Sequence, residues 1–243
     1  MVVKSELKFI KSLQQKKFRI QNGLFVAEGV KLVTELINSR FKAHRVYVST
    51  TAPAEGFGPD PVLVSPGELR KMSGLQNPNT VLGVFHIPPP DPPDCGNWIV
   101  ATDTVQDPGN LGTIIRLCDW FGVPTLLCSP DTVDCYNPKV LQATMGSIAR
   151  VNILYSSLKS FLEETSLPVY GTFMSGASVY HVDFPEKGVL VLGNEAQGID
   201  PGLGACIDHN IGIPQFGEKS AESLNVAMAA AILLNEVLRP IRK

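Results

Sequence analysis

The chain has 243 residues, of which 44% are apolar and 18% are charged, and its formal net charge at pH 7 is −2. This composition is typical of a folded globular protein and excludes a collagen, a long coiled coil or a mainly disordered chain. The longest apolar run, Val226 to Leu234, is about half of the ~20 residues that a membrane-spanning helix needs, so no transmembrane segment is expected. No hydrophobic core follows the basic N-terminus as a secretory signal requires, and a cytoplasmic location is expected.

The five cysteines are widely scattered and form no Cys-x-x-Cys pair, and none of the four histidines is spaced to join them. Neither a zinc site nor a disulfide framework is therefore predicted, and no metal is expected. Cys118 has two interpretations, a thiol nucleophile or a small apolar residue inside a helix. Its apolar neighbours favour the second.

Charge is distributed unevenly along the chain. Residues 1–45 contain ten lysines or arginines and three acids, which gives +7 against −9 for the remainder. A basic segment on an acidic body suggests that contacts to the phosphates of a nucleic acid are concentrated there, and we expect Lys16, Lys17 and Arg19 to contribute. A solvated helix face is the alternative interpretation of the same charges.

The first part of the chain alternates between helical and strand patterns. Apolar residues recur at three- and four-residue spacing around Leu7 to Leu13 and Val30 to Ile37, which predicts two helices. Ser65-Pro-Gly-Glu68 predicts a capping box at the start of a third. Strands are predicted at 46–48, 62–64 and 81–87. A small α/β domain follows from this order.

The segment Ile87-Pro-Pro-Pro-Asp-Pro-Pro-Asp94 contains five prolines in eight residues. Proline removes amide donors and favours an extended, stiff chain, so this segment is the best candidate for a domain boundary. We predict a first domain over 1–88, a linker over 89–94 and a second domain over 95–243.

The second domain alternates more regularly, which predicts a parallel sheet with crossover helices. Strands are expected at 98–102, 125–128, 151–154, 169–173 and 188–193, with another ending at Ile213, and helices near 111–121, 138–145 and 223–238. Ligands of such sheets gather at the carboxyl ends of the strands, where three polar motifs lie.

The first motif runs from Asp103 to Arg116 through a Gly/Pro loop, with Asn110 as a plausible N-cap of the next helix. A dinucleotide site of an NAD-dependent oxidoreductase is one alternative. However, Gly109-Asn-Leu-Gly112 lacks the full G-x-G-x-x-G pattern and no acidic residue stands convincingly at the next strand end. Arg116 follows Asn110 by nearly two helical turns in an apolar stretch, a setting that also suits a simple salt bridge at the rim.

The second and third motifs also follow strands. Glu195 lies in the turn of Gly193-Asn-Glu-Ala-Gln-Gly198, where loops on a rigid scaffold often carry function. Ile213-Pro-Gln-Phe-Gly217 is a further turn, and Ser223 and Asn225 open the last helix. Taken alone, each motif is explained by turns and helix caps.

Taken together, these segments resemble the SpoU (TrmH-like) methyltransferases, whose motifs are N-x-G-x-I-x-R, L-G-N-E-G-x-G and I-P-x-x-G followed by S-L-N-V. The matches are Asn110 to Arg116, Leu192 to Gly198, Ile213 to Gly217 and Ser223 to Val226. The resemblance covers nearly all of 95–243. Residues 1–88 resemble the small substrate-binding domain of many members, which is similar to ribosomal protein L30e.

The resemblance implies an α/β fold with a deep trefoil knot at its C-terminal end, a homodimer formed through the knot domain, and RNA as a partner. It implies S-adenosylmethionine as cofactor and methyl transfer to a ribose 2′-hydroxyl, with ribosomal RNA favoured over tRNA by the two-domain layout. The implied cofactor-binding residues are Leu192, Gly193, Asn194, Gly198, Ile213, Gln215 and Leu224. The implied catalytic residues are Arg116, Asn110, Glu195, Ser223 and Asn225, and Arg116 acts either in its own site or in that of the partner subunit.

Two residues depart from the family pattern, Ala196 at a position that is usually glycine and Ala227 at one that is often serine. If the turn needs a positive φ at 196, alanine is strained there by about 1 kcal/mol or more and cofactor affinity suffers. A non-catalytic RNA-binding protein with a vestigial knot domain is the alternative function.

Overall fold

The computed structural model describes residues 2–52, 56–217 and 223–239. It divides into two compact units, one of Met1–Pro89 with Asp134–Ala149 and one of Pro90–Val133 with Arg150–Lys243. One break between the units falls at the proline-rich segment. The second domain was expected to run unbroken from 95 to 243, whereas residues 134–149 join the first unit.

The first unit is built on a mixed four-stranded sheet. Its strands are β1 (Leu24–Glu28), β2 (Ala43–Ser49), β3 (Val62–Val64) and β4 (Val81–His86), in the order β1-β4-β2-β3. Strand β4 pairs antiparallel with both β1 and β2, and β2 pairs parallel with β3. Its helices are α1 (Lys4–Ser12), α2 (Lys16–Asn22), α3 (Val30–Ile37), α4 (Pro66–Met72) and, from the later segment, α6 (Pro138–Thr144).

Local signals explain part of this unit. Ser65 and Glu68 form the predicted capping box, in which the Ser65 hydroxyl accepts from the Glu68 N–H and the Glu68 carboxylate accepts from the Ser65 N–H. Strand β1 and helix α2 were not predicted. Strand β1 is buried along its whole length, so it lacks the alternation that reveals a half-buried strand.

The second unit contains six parallel strands in the order β10-β8-β9-β5-β6-β7. They are β5 (Ile99–Thr102), β6 (Thr125–Cys128), β7 (Asn152–Tyr155), β8 (Val169–Ser178), β9 (Val189–Leu192) and β10 (His209–Gly212), and the helices are α5 (Pro108–Phe121), α7 (Leu158–Glu164) and α8 (Val226–Leu238). The predicted parallel α/β architecture is confirmed. Because β9 and β5 pair with Thr102 opposite Leu192, their carboxyl ends lie side by side.

Three further findings concern the thiol of Cys118, potential metal ligands and membrane-spanning helices. Cys118 on α5 is fully buried, and burial raises the pKa of its thiol, which disfavours the thiolate that a nucleophile needs. Among the described residues, no group of three or more potential metal ligands is found. No helix in the described ranges is long and apolar enough to cross a membrane.

Candidate active site

The turn after β9 is held by its own backbone and by one amide side chain. The N–H of Asn194 donates to the Gly198 carbonyl over 2.9 Å, and the N–H of Gly198 donates back over 2.8 Å. The Asn194 Oδ1 accepts from the N–H groups of Ala196 and Gln197, at 2.9 and 3.2 Å. These bonds fix the turn that presents Glu195.

Two glycines are required by this turn. A Cβ on Gly193 would lie 2.3 Å from the carbonyl carbon of Gly198, so only glycine permits the close approach. Gly198 has a φ of +72°, in the left-handed region that glycine enters without strain. Ala196 is not among the positive-φ residues, and the strain considered for alanine at 196 is therefore absent.

Two residues directly after strand β5 support the site, although the sequence analysis assigned neither of them a role. Asp103 is buried, and its Oδ2 accepts the N–H of Asp200 over 2.7 Å, which fastens the chain just beyond the Glu195 turn. Thr104 has a φ of +56°, and its carbonyl accepts the Asn194 Nδ2 over 2.8 Å. A polar pair directly after a buried strand was the available signal.

Asn110 does not cap α5, contrary to the prediction. The N-cap is Asp107, whose side chain accepts the N–H of Asn110 over 2.8 Å, and Pro108 begins the helix. Proline suits that position because the first helical N–H has no intrahelical partner. The side chain of Asn110, in the first turn, is consequently free to act elsewhere. Its Nδ2 donates to the Glu195 Oε1.

The start of α8 completes a network with Asn110. Asn225 is the N-cap of α8, and its Oδ1 accepts from the N–H groups of Ala227 and Met228. Its Nδ2 donates to the Asn110 Oδ1 over 2.9 Å. The Ser223 hydroxyl donates to the Glu195 carbonyl over 3.5 Å, a long contact. Four of the five predicted catalytic residues therefore lie together.

Arg116 is the fifth, and it lies apart from this network. It is exposed on α5, and no hydrogen bond or ion pair joins it to another described residue. The predicted rim salt bridge is thus not formed within the described part of the chain. No residue in the described ranges takes up the donors of its guanidinium, which can therefore bind a ligand.

The residues expected to hold a cofactor lie on the loops around the network. Leu192 ends β9, Asn194 and Gly198 close the Glu195 turn, and Ile213 and Gln215 follow β10. Gly193 is buried, yet no hydrogen bond within the described structure engages its N–H or C=O. Leu224, beside the capping residue of α8, is 49% exposed. The loops thus offer unpaired backbone groups and exposed apolar surface.

The three basic residues predicted to bind RNA differ in exposure. Lys16 and Lys17, in the first turn of α2, are exposed. Arg19 is only 2% exposed, and its guanidinium donates to the Asp134 carboxylate and to the carbonyls of Leu13 and Gln14. Arg19 therefore has a structural role within the first unit, and the prediction that it contacts phosphate is wrong.

Polar loops at adjacent carboxyl ends of a parallel sheet define an α/β protein with a ligand site at the strand ends. The SpoU rRNA Methylase family model matches residues 97–235, more than half of the chain, and an MRM3-like substrate binding domain matches residues 4–83. The chain belongs to the SpoU rRNA methylase family.

Individual relatives agree with this assignment. The chain is 32% identical over 231 residues to the 23S rRNA (guanosine(2553)-2′-O)-methyltransferase of Bacillus subtilis, with 92% of each chain covered. A putative RNA methyltransferase of the TrmH family from Porphyromonas gingivalis is 34% identical, covers 99% of each chain and superposes with a TM-score of 0.88. An AdoMet-bound rRNA methyltransferase from Sinorhizobium meliloti is 29% identical with a TM-score of 0.87, covering 99% of this chain and 97% of that one.

Proposed function

We propose that this protein transfers a methyl group from S-adenosylmethionine to the 2′-hydroxyl of a ribose in RNA, and that the RNA is ribosomal. The observation that carries the proposal is the network of Asn225, Asn110 and Glu195, formed by three separate family motifs around one turn. Because these motifs are far apart in sequence, local structure does not account for their convergence.

The loops suit a nucleoside cofactor. A buried backbone amide or carbonyl without a partner is costly, so the unpaired groups of Gly193 favour a ligand that satisfies them. Leu224 and Ile213 offer apolar surface for an adenine ring, and Leu192, Asn194, Gly198 and Gln215 flank it. When bound, S-adenosylmethionine supplies a methyl group on a positively charged sulfur.

The chain's own task is to align a weak nucleophile and assist the loss of its proton. In this proposal, Glu195 and Asn110 orient the ribose, because their hydrogen bond fixes both side chains before RNA arrives. Asn225 fixes the Asn110 amide, and Ser223 steadies the Glu195 turn. The ribose oxygen gains the methyl group as its proton passes to solvent or to a nucleotide phosphate.

Arg116 is assigned the role of stabilising the negative charge that develops on the ribose oxygen and the charge of the neighbouring phosphate. A guanidinium remains protonated in proteins, which makes it a poor general base and a strong partner for oxyanions. Its exposure, and the lack of a partner among the residues that the structure describes, suit this role. Base action by Arg116 requires a phosphate that relays the proton.

We further propose that the protein is a homodimer in which Arg116 serves either its own site or that of the partner subunit. We also propose that its C-terminal segment is knotted. Trp120 on α5 is 78% exposed and Met228 on α8 is 62% exposed. Exposed large apolar side chains on neighbouring helices support a protein interface. The bond from Asn225 to Asn110 places the start of α8 beside α5. The proposal of a knot rests on the family resemblance.

Ribosomal RNA is proposed because the Bacillus subtilis relative, named for 23S rRNA, matches both units of this chain. Lys16 and Lys17 are proposed to contact the phosphates of the ribosomal RNA. The protein is proposed to work in the cytoplasm. A role for the first unit in holding RNA follows from the match to a substrate-binding domain.

The deciding experiment measures cofactor binding by calorimetry and methylation of rRNA from a deletion strain, with ribose methylation mapped by position. The wild-type protein should bind S-adenosylmethionine and restore one missing 2′-O-methyl group. Arg116→Ala should retain cofactor binding and lose methylation by about 100-fold or more. Arg239→Lys, which can keep its 3.0 Å ion pair to Glu236, serves as the matched control and should retain activity.

Absence of cofactor binding at millimolar concentration would reject the enzyme and leave an RNA-binding protein. If Arg116→Ala methylates at the wild-type rate, the role of Arg116 is wrong while the enzyme stands. Methylation of tRNA alone would reject the ribosomal substrate.

A further inference from the structure

A groove in the first unit lies between α1 and the first half of β2. It is an open depression of about 400 Å³, lined by residues from α1, β2 and β4. All of these residues belong to the first unit, and none belongs to the network around Glu195. The groove is therefore a separate candidate binding site.

One wall of the groove is apolar. Val3, Phe9 and Ile10 contribute side chains from the α1 side, and Val84 contributes from β4. Val3 is 60% exposed and Phe9 is partly buried, whereas Ile10 and Val84 are each 1% exposed and form the floor. Apolar surface that includes an aromatic ring can stack against an unpaired nucleobase.

The carboxylate of Glu6 lies at the rim of the groove and is held in place by a hydrogen bond. The Tyr47 hydroxyl donates to the Glu6 Oε1 over 2.5 Å, and burial together with this hydrogen bond raises the pKa of Tyr47, so the hydroxyl remains a donor. The Glu6 Oε2 accepts no hydrogen bond from the described residues. Glu6 is thus held in place while one of its oxygens remains available.

Basic groups stand beside that carboxylate. The Arg45 Nη1 lies 3.5 Å from Glu6 in a loose ion pair, and 54% of the Arg45 side chain is exposed. The rings of His44 and His86 meet edge to face at 5.4 Å. Burial, and then the charges of His86 and Arg45, lower the pKa of His44. An anion beside Arg45 would meet cationic and imidazole groups, whereas one beside Glu6 would be repelled.

We propose that this groove holds one unpaired guanine nucleotide of the RNA, with the base against Phe9 and its phosphate beside Arg45. The Glu6 carboxylate accepts the two adjacent donors, N1–H and N2–H, of the guanine Watson–Crick edge, one at Oε2 and the other at the lone pair of Oε1 that the Tyr47 hydroxyl does not use. Adenine, cytosine and uracil do not present two adjacent donors there, so the carboxylate selects guanine. The inference rests on the proposed function only in taking RNA as the partner.

The test uses the full-length protein and fluorescein-labelled nine-nucleotide RNAs, all uridine except for a central G, A, C or U, with affinity measured by anisotropy at low salt. The wild-type protein should bind the G oligonucleotide roughly tenfold more tightly than the others, the effect of a hydrogen bond to a charged group. Glu6→Gln should reduce this preference to below about twofold without weakening binding of the all-uridine RNA. Glu163→Gln removes an exposed carboxylate from α7 and should leave the preference unchanged.

Arg45→Gln separates the two halves of the site. It should weaken binding of all four RNAs severalfold and keep the preference for G, because the phosphate contact is common to them. Absence of a G preference in the wild-type protein, or its survival in Glu6→Gln, would overturn the inference. Calorimetry with S-adenosylmethionine and a methylation assay on the same samples distinguish the failure of this inference from that of the proposed function. A G preference without cofactor binding rejects the proposed function alone. Methylation without a G preference rejects only the role of this groove.

Discussion

Asn225 donates from its Nδ2 to the Oδ1 of Asn110 over 2.9 Å, which links the N-cap of α8 to the first turn of α5 across 115 positions of the chain. The other end of the Asn225 amide is occupied by the N–H groups of Ala227 and Met228. The helix cap therefore fixes which atom faces Asn110, and a local structural bond orients a long-range one.

Replacing Asn225 by serine should separate the two roles of this residue. Serine can cap α8, so the free energy of unfolding should change by less than about 0.5 kcal/mol, whereas alanine should cost about 1 kcal/mol. Both variants lose the donor to Asn110, and methylation should fall at least about tenfold in each. Urea unfolding and single-turnover methylation measure the two effects.

The matched control is Asn137→Ser at the N-cap of α6, where the side chain also accepts a backbone N–H, from Lys139 over 2.9 Å. It should retain methylation. Wild-type methylation by Asn225→Ser would show that the bond to Asn110 has no part in the reaction.

Lys16 and Lys17 should act on RNA binding without acting on stability. Both are exposed, so reversing both charges should weaken RNA affinity and lower the dependence of log affinity on log salt by roughly one per lysine. Filter binding over a salt series measures this slope. An unchanged slope with weaker binding would point to a loss other than phosphate contacts.

Arg19→Ala should act in the opposite way. Its loss leaves the Asp134 carboxylate, which is 13% exposed, without its buried partner, and the free energy of unfolding should fall by roughly 3 kcal/mol. Arg150→Ala breaks the exposed pair with Asp119 and should cost less than about 1 kcal/mol. Equal losses in the two variants would contradict the structural role assigned to Arg19.

The turn at Glu195 should tolerate glycine at 196 but not alanine at 193. Ala196→Gly should leave affinity for S-adenosylmethionine within about twofold, because 196 has no left-handed strain to relieve. Gly193→Ala should abolish binding, since its Cβ would lie 2.3 Å from the Gly198 backbone. Calorimetry compares them, and a large gain in affinity for Ala196→Gly would mean that the turn changes conformation when the cofactor binds.

Glu68 should make stability depend on pH in the acid range. Hydrogen bonds from the backbone of Ser65 and Val2 lower the pKa of Glu68 to about 2 in the folded protein. The unfolded value is about 4.3, so the stabilisation is complete above that pH and is lost as the pH falls toward 2. Unfolding of the wild-type protein and Glu68→Gln, compared at pH 6, 4 and 3, should show a difference that shrinks with acidity. A difference independent of pH would contradict this assignment.

The sequence by itself determined the two-part layout, the parallel α/β pattern of the second unit and the three family motifs. These features follow from local periodicity, from proline chemistry and from the order of short motifs, which need no knowledge of distant contacts. The capping box at Ser65 and Glu68 was predictable for the same reason.

Only the tertiary structure decided what several of these residues do. Asn110 could have been a helix cap, and it became a bridge because Asp107 takes the cap and Glu195 and Asn225 arrive from distant segments. From the sequence, Arg19 was expected to be an exposed cation, whereas in the structure its side chain is buried in an ion pair with Asp134. The hydrogen-bond partners of a side chain depend on which segments the fold brings within about 3 Å of it. Local sequence does not determine which distant segments these are.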